Sequence, residues 1–153
     1  MKNSLLTQEV DNIQNQTREL IEEINERTEE YGYVFLNEEE ITALQKGLEL
    51  IYEGKTFARE GQDGQDVKYY IFRLPGKLNS FFLFINTYVQ EPDEMQYRLY
   101  QSCNLEYIFS AIKELTKVIE LEMKVSVLKR REYEIDKILK PAPAIKHQEE
   151  YVS

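Results

Sequence analysis

The sequence predicts an α+β fold: two N-terminal helices, a four-stranded antiparallel meander sheet, and one long C-terminal helix with a coiled-coil-like extension. Three observations carry this expectation. Apolar residues recur at steps of three and four through the first part of the chain. A middle block without that period is cut by Gly- and Pro-containing turns. The last block then runs from residue 104 to 140 without a glycine or proline. With 153 residues, of which 42% are hydrophobic, the chain is long enough for one core-forming domain and too apolar to be a disordered segment. The expected organisation is a single domain over 1–140 and a flexible tail over 141–153. Within the domain, 1–32 is a heptad-patterned helix, 33–54 holds a second helix, 55–103 the sheet and 104–140 the long helix.

The first helix is read from Leu6, Val10, Ile13, Thr17, Leu20, Ile24 and Tyr31. This narrow a/d-type seam suits helix-on-helix packing better than cover over a sheet. Gly32 is placed to end it. Asn37 and Glu40 make a capping box for the second helix, and Leu36 with Ile41 a hydrophobic staple. That capping duty accounts for the acidic triplet Glu38-Glu39-Glu40 without metal or acid–base chemistry. Ile41, Leu44, Leu48, Ile51 and Tyr52 extend the helical period to a stop at Gly54.

The sheet is expected from Thr56–Glu60, then Val67–Leu74 after the turn-rich segment 61–66, then Phe81–Val89 and Gln96–Ser102. Pro75-Gly76 and Glu91-Pro92-Asp93 supply the other turns. The second and third of these strands are apolar on both faces and belong in the centre, with the first and fourth at the edges. Asn104 is the expected N-cap of the last helix. Its first half carries a wide apolar face: Leu105, Ile108, Phe109, Ile112, Leu115, Val118 and Ile119. Its second half narrows to Leu121, Val125, Leu128, Ile135 and Leu139. A helix of this length measures about 54 Å, against about 27 Å for an eight-residue strand. The narrow half therefore needs a partner of its own: the first helix of the same chain, or a second copy. A homodimer seam at Leu121, Val125, Leu128, Ile135 and Leu139 is the expectation.

The charge confines function more than composition does. The chain carries 28 acidic and 19 basic residues. Residues 1–66 hold 16 of the acids and only 6 of the bases. The remainder is close to neutral, so the acidity is one helical face built on Glu19, Glu22, Glu23, Glu26, Glu29 and Glu30. Such a chain is unsuited to nucleic-acid backbones. One cysteine and one histidine exclude a disulfide framework, a Cys-rich zinc module and a histidine relay. No signal-peptide h-region or membrane-length apolar run is found, and Asn15-Gln16-Thr17 lies mid-helix, so a cytoplasmic chain without membrane contact is expected.

Other candidates have bland readings. Cys103 precedes a helix N-terminus but lacks a base or resolving thiol, and His147 sits in the tail. Tyr69, Tyr70, Tyr88, Tyr97 and Tyr100 lie on or beside the sheet, where packing outweighs base stacking because no basic groove accompanies them. Lys129-Arg130-Arg131 is flanked by Glu132, Glu134 and Asp136, Gly61 and Gly64 lack the lysine and helix of a phosphate loop, and Gly76-Lys77 leads into a strand. No catalytic constellation, metal set or cofactor site emerges, and the chain is read as a non-enzyme. The function expected is protein binding: a small acidic regulator or inhibitor, of the immunity or nucleic-acid-mimicking kind, meeting a basic partner through its acidic helical face. The alternative is a small-ligand sensor with a pocket between the aromatic sheet and a helix.

Overall fold

The computed structural model describes residues 2–89 and 94–139. Its elements are α1 (Lys2–Glu30), β1 (Val34–Leu36), α2 (Glu38–Lys46), β2 (Glu49–Glu60), β3 (Asp63–Arg73), β4 (Phe81–Val89), β5 (Glu94–Ser102) and α3 (Leu105–Leu139). The strands form one antiparallel sheet in the order β1-β5-β4-β3-β2. The fold is α+β, with N-terminal helices, an antiparallel sheet and the long C-terminal helix in the order the sequence predicts. Among the described residues, no helix is long and apolar enough to cross a membrane. The predicted turn at 91–93 and the tail from 141, with His147, lie outside the described residues.

The sheet differs from expectation in three ways. It has a fifth strand: Tyr33-Val34-Phe35-Leu36 contains β1, which pairs Val34–Leu36 with Leu99–Tyr97. The last meander strand, β5, is therefore internal and not an edge. The second helix is also shorter than its apolar period implies. Gly47 closes α2 after Lys46, and Glu49–Tyr52 run as strand. Ile51 and Tyr52 fit the helical spacing by coincidence; pairing with β3 decides the matter. Finally, the loop between β2 and β3 is only Gly61-Gln62, since Glu60 pairs with Asp63. Gly61 has φ 59° and, among the described residues, no non-glycine residue has positive φ, so the glycine serves the first central position of a type II′ turn. Pro75-Gly76 makes the expected turn of type II, with φ 81° at Gly76 and Lys77 N–H donating to the Leu74 carbonyl at 3.1 Å.

Two glycines in the β2–β3 hairpin are covered by aromatic rings from positions nearby. Tyr69 lies over Gly54 and Phe57 over Gly64, leaving no room for a Cβ at either place. Beyond Lys68, β3 parts from β4. The side chain of Gln65 takes over there, accepting from Tyr88 N–H at 3.0 Å and donating to the Tyr88 carbonyl at 3.3 Å.

The described residues divide into two compact units, 24–121 and 2–23 with 122–139. In the first unit, register sorts the side chains into two faces. One face carries Val67, Ile71, Leu83 and Ile85, all buried. Ile108, Ala111, Ile112, Leu115, Val118 and Ile119 of α3 are buried in the same unit, at the three-and-four spacing of a wide stripe. Thr56 and Thr116 hydroxyls meet at 2.9 Å, and Tyr52 and Phe109 rings meet edge to face at 6.1 Å, fixing α3 against this side of β2. The other face carries Phe72, Phe84 and Leu99, which cluster with Ile41 of α2 and with Leu36. The capping box is present in full: Glu40 N–H donates to Asn37 Oδ1 at 2.8 Å, and Asn37 N–H to Glu40 Oε1 at 3.1 Å. Asn104 caps α3 by accepting from Glu106 N–H at 2.9 Å.

In the second unit, α1 and α3 pack through Val10, Ile13 and Ile135, with Leu6, Leu128 and Leu139 around them. Arg131 Nε donates to Glu9 Oε1 at 2.9 Å beside this cluster. Leu128, Ile135 and Leu139 of the narrow α3 seam thus meet α1 of the same chain.

Ile135 is 2% exposed and Ile138, one turn on, is 61% exposed. Urea titration is expected to show Ile135→Ala losing about 2–4 kcal/mol and Ile138→Ala within about 0.5 kcal/mol of the parent. Asn37→Ala removes the capping acceptor and is expected to cost about 1 kcal/mol by the same measurement.

Candidate functional site

The most distinctive surface is the outer side of α1. At 100° per residue, Glu19, Glu22, Glu23, Glu26, Glu29 and Glu30 fall within an arc of about 120°. All but Glu23, which is half-buried, are exposed. Glutamate is a good helix former, but this arrangement opposes the helix. Glu19–Glu23, Glu22–Glu26 and Glu26–Glu30 are like-charged pairs at i,i+4, each costing a few tenths of a kcal/mol (about 0.2–0.5). Glu29 and Glu30 also stand in the last turn, where the helix end is itself partly negative. The basic residue of that turn, Arg27, is directed to Glu114 of α3 at 2.6 Å. Tyr31, next along, feels the same field: burial, then Glu30, Glu114 and Tyr100, hold its hydroxyl pKa above the ordinary 10.0.

The remaining candidates are placed by the fold as follows. Glu38, Glu39 and Glu40 occupy the first turn of α2, with Glu40 bound to the cap. Cys103 is exposed and free. In the basic cluster, Arg131 is paired with Glu9. The proposed seam residues are half-buried or buried: Leu128, Ile135 and Leu139 join the α1 cluster, and Leu121 and Val125 are half-buried on α3. The tyrosines are split by strand alternation. Tyr69 and Tyr100 share the α3-side face, and Tyr70, Tyr88 and Tyr97 the other. Tyr100 meets Tyr31 edge to face at 5.5 Å, and Tyr70 and Tyr97 pack on the α2-side cluster.

A shallow, open hollow of about 290 Å³ is lined by Glu53, Gly54, Lys55, Lys68 and Tyr70, all of β2 and β3. Among the described residues, no group of three or more His, Cys, Asp or Glu is arranged to hold a metal ion. One buried charge escaped the sequence reading. Arg98 of β5 is 2% exposed, with its guanidinium carbon 5.0 Å from the Phe35 ring centre and 5.5 Å from that of Tyr33. An arginine on a presumed edge strand reads as solvent-facing. The aromatic residues beside β1 were the available signal, because they are what clothes it. Compared with protein-family models, curated proteins and solved structures, the chain matches none.

Tyr69 stacks on Tyr52 at 6.1 Å, and its pKa is raised above 10.0 by burial first, then by the hydrogen bond with Tyr52 and that neighbour's charge. A raised phenol pKa favours the neutral form in the folded state. Its stabilising contribution is whole below the unfolded value, about 10, and is lost as pH rises through the folded value. Absorbance titration of the tyrosinates is expected to show a late-ionising component that Tyr69→Phe removes, and Tyr69→Phe should lessen the loss of melting temperature above that pH.

Proposed function

We propose that this chain is a non-catalytic protein-binding module, a small acidic regulator or inhibitor that meets a basic partner through the outer face of α1. The observation that carries the reading is the crowding of six carboxylates on one arc of a helix that their mutual repulsion weakens. Solubility alone would be served by mixed signs, as on α3, where Lys129, Arg130 and Arg131 are followed directly by Glu132, Glu134 and Asp136. A single-sign face instead projects a field beyond the surface. That field accelerates encounter with an oppositely charged protein and rejects like-charged ones.

The spacing narrows the kind of partner. From Glu19 to Glu30 the helix rises about 16 Å, or about 3.3 Å per carboxylate. A single strand of duplex DNA carries one phosphate per about 3.4 Å. The mean axial charge spacing is thus comparable, and an inhibitor or immunity-type role toward a protein that binds a phosphate backbone is the form of the proposal. A net charge of -9 argues in the same direction, because it disfavours nucleic acid itself as the ligand.

The test is capture of partners from extract of the native host by the parent chain and by a Glu19→Gln, Glu22→Gln, Glu26→Gln, Glu29→Gln variant. A basic protein held by the parent at low salt, released by added salt, and bound at least about tenfold more weakly by the variant is the expected result, each lost contact contributing modestly. Equal retention by a variant of unchanged melting temperature would sink the acidic face as the binding surface.

A further inference from the structure

Beyond that reading, and on different residues, the sheet carries a second interaction surface. β2 is the terminal strand of the sheet, so no strand of the described residues lies along its outer side. Arg59 N–H donates outward from this edge to Glu120 Oε2 of α3 at 2.8 Å. Outward-facing residues alternate along an antiparallel strand. With Arg59 outward, the backbone groups of Phe57, Lys55 and Glu53 face the same way. At the other end, the bulge between Leu50 and Tyr52 breaks the register. The open edge is thus the stretch 51–57, bounded by a bulge on one side and a capped amide on the other. It is not a polar edge: Ile51, Tyr52 and Phe57 are 36%, 50% and 48% exposed. An open edge with exposed apolar residues is a template for another strand.

We infer that the occupant is a second copy of this chain, with two β2 strands joining antiparallel about a twofold axis at Gly54. A twofold interface must be complementary to itself, and only certain registers bring the outward backbone groups into opposition. With the axis at Gly54, Glu53 of each copy stands opposite Lys55 of the other, so two opposite-charge pairs form. Tyr52 faces Thr56, and the outward backbone groups at 53 and 55 find partners in one another. Moving the axis to Glu53 sets Glu53 against itself, and moving it to Lys55 sets Lys55 against itself; like charges directly opposite are destabilising. An axis at Thr56 brings Glu53 to Arg59, but the Arg59 amide is already bound to Glu120. Charge and backbone availability therefore select one register.

Gly54 suits the axis. Its Cα carries no side chain to obstruct the approach, and Tyr69 already covers its α3-side face. The pairing makes one continuous sheet from two five-stranded ones.

Sedimentation velocity over a rising concentration series tests this, with circular dichroism confirming that each variant is folded. The parent chain is expected to pass from 18.2 kDa towards twice that mass. Glu53→Lys places lysine opposite lysine in both pairs and is expected to weaken the dimer at least tenfold. Lys55→Glu should do the same, although Lys55 also has an in-chain partner, Asp66, at 3.7 Å. The double variant Glu53→Lys, Lys55→Glu restores both pairs with signs exchanged and should recover association to near the parent level. A parent that remains at 18.2 kDa throughout, a dimer indifferent to both single reversals, or a double variant no better than the singles would each overturn the proposal. None of these substitutions touches α1, so failure here leaves the acidic-face reading to its own test.

Discussion

A sheet whose central strands are apolar on both sides must be covered twice, and that requirement organises the unit formed by residues 24–121. One side is met by a helix long enough to lay six buried side chains, from Ile108 to Ile119, along it. The other has only α2, nine residues long, so its position must be held accurately. The capping box at Asn37 and the contact of Leu36 with the Ile41 cluster do this by fixing where α2 starts and how the chain enters it. β1 follows from the same need, since Leu36 both ends that strand and joins the α2-side core. Adding β1 to the sheet then turns β5 into an interior strand and encloses Arg98 between aromatic rings. Burying a guanidinium is costly unless its surroundings compensate, and the rings of Tyr33 and Phe35 contribute part of that compensation.

What the sequence made legible was local. Asn37 with Glu40, Asn104 with Glu106, and Pro75-Gly76 are decided by residues three or fewer apart, and each stands as read. The apolar face of α3 from Ile108 to Ile119 was legible for a related reason, because helical period is written along one segment. What failed was decided by partners distant in sequence. Ile51 and Tyr52 satisfy a helical period, yet β3 claims them as strand. Asp63-Gly64-Gln65-Asp66 has the composition of a loop, yet Phe57 lying over Gly64 and pairing with β2 extend the strand through it. β1 is too short for alternation to announce it. The candidate site shows the same division: the acidic arc of α1 is a period and was visible, whereas the open stretch of β2 depends on a bulge, an amide capped from α3 and a strand order.

The two proposed surfaces would work over different ranges. The carboxylates of α1 act through a field that extends about a Debye length, roughly 8 Å at physiological salt. The β2 edge acts only at contact, through backbone groups whose geometry is fixed by the sheet. On the proposed reading, finding a partner and self-assembly would be carried by separate surfaces. The α1–α3 seam at Val10, Ile13 and Ile135 belongs to neither surface.

Gln65 has a further consequence for how such a chain can change over generations. Strand partings normally leave orphaned amides, which constrains where a hairpin can leave its sheet. Here a single side-chain amide supplies both missing bonds to Tyr88, so β4 ends satisfied although β3 has moved away. The hairpin tip beyond it is released from any bookkeeping with β4. Its length is free to drift by paired insertions or deletions, and the reach of the β2 edge can evolve without reopening the core.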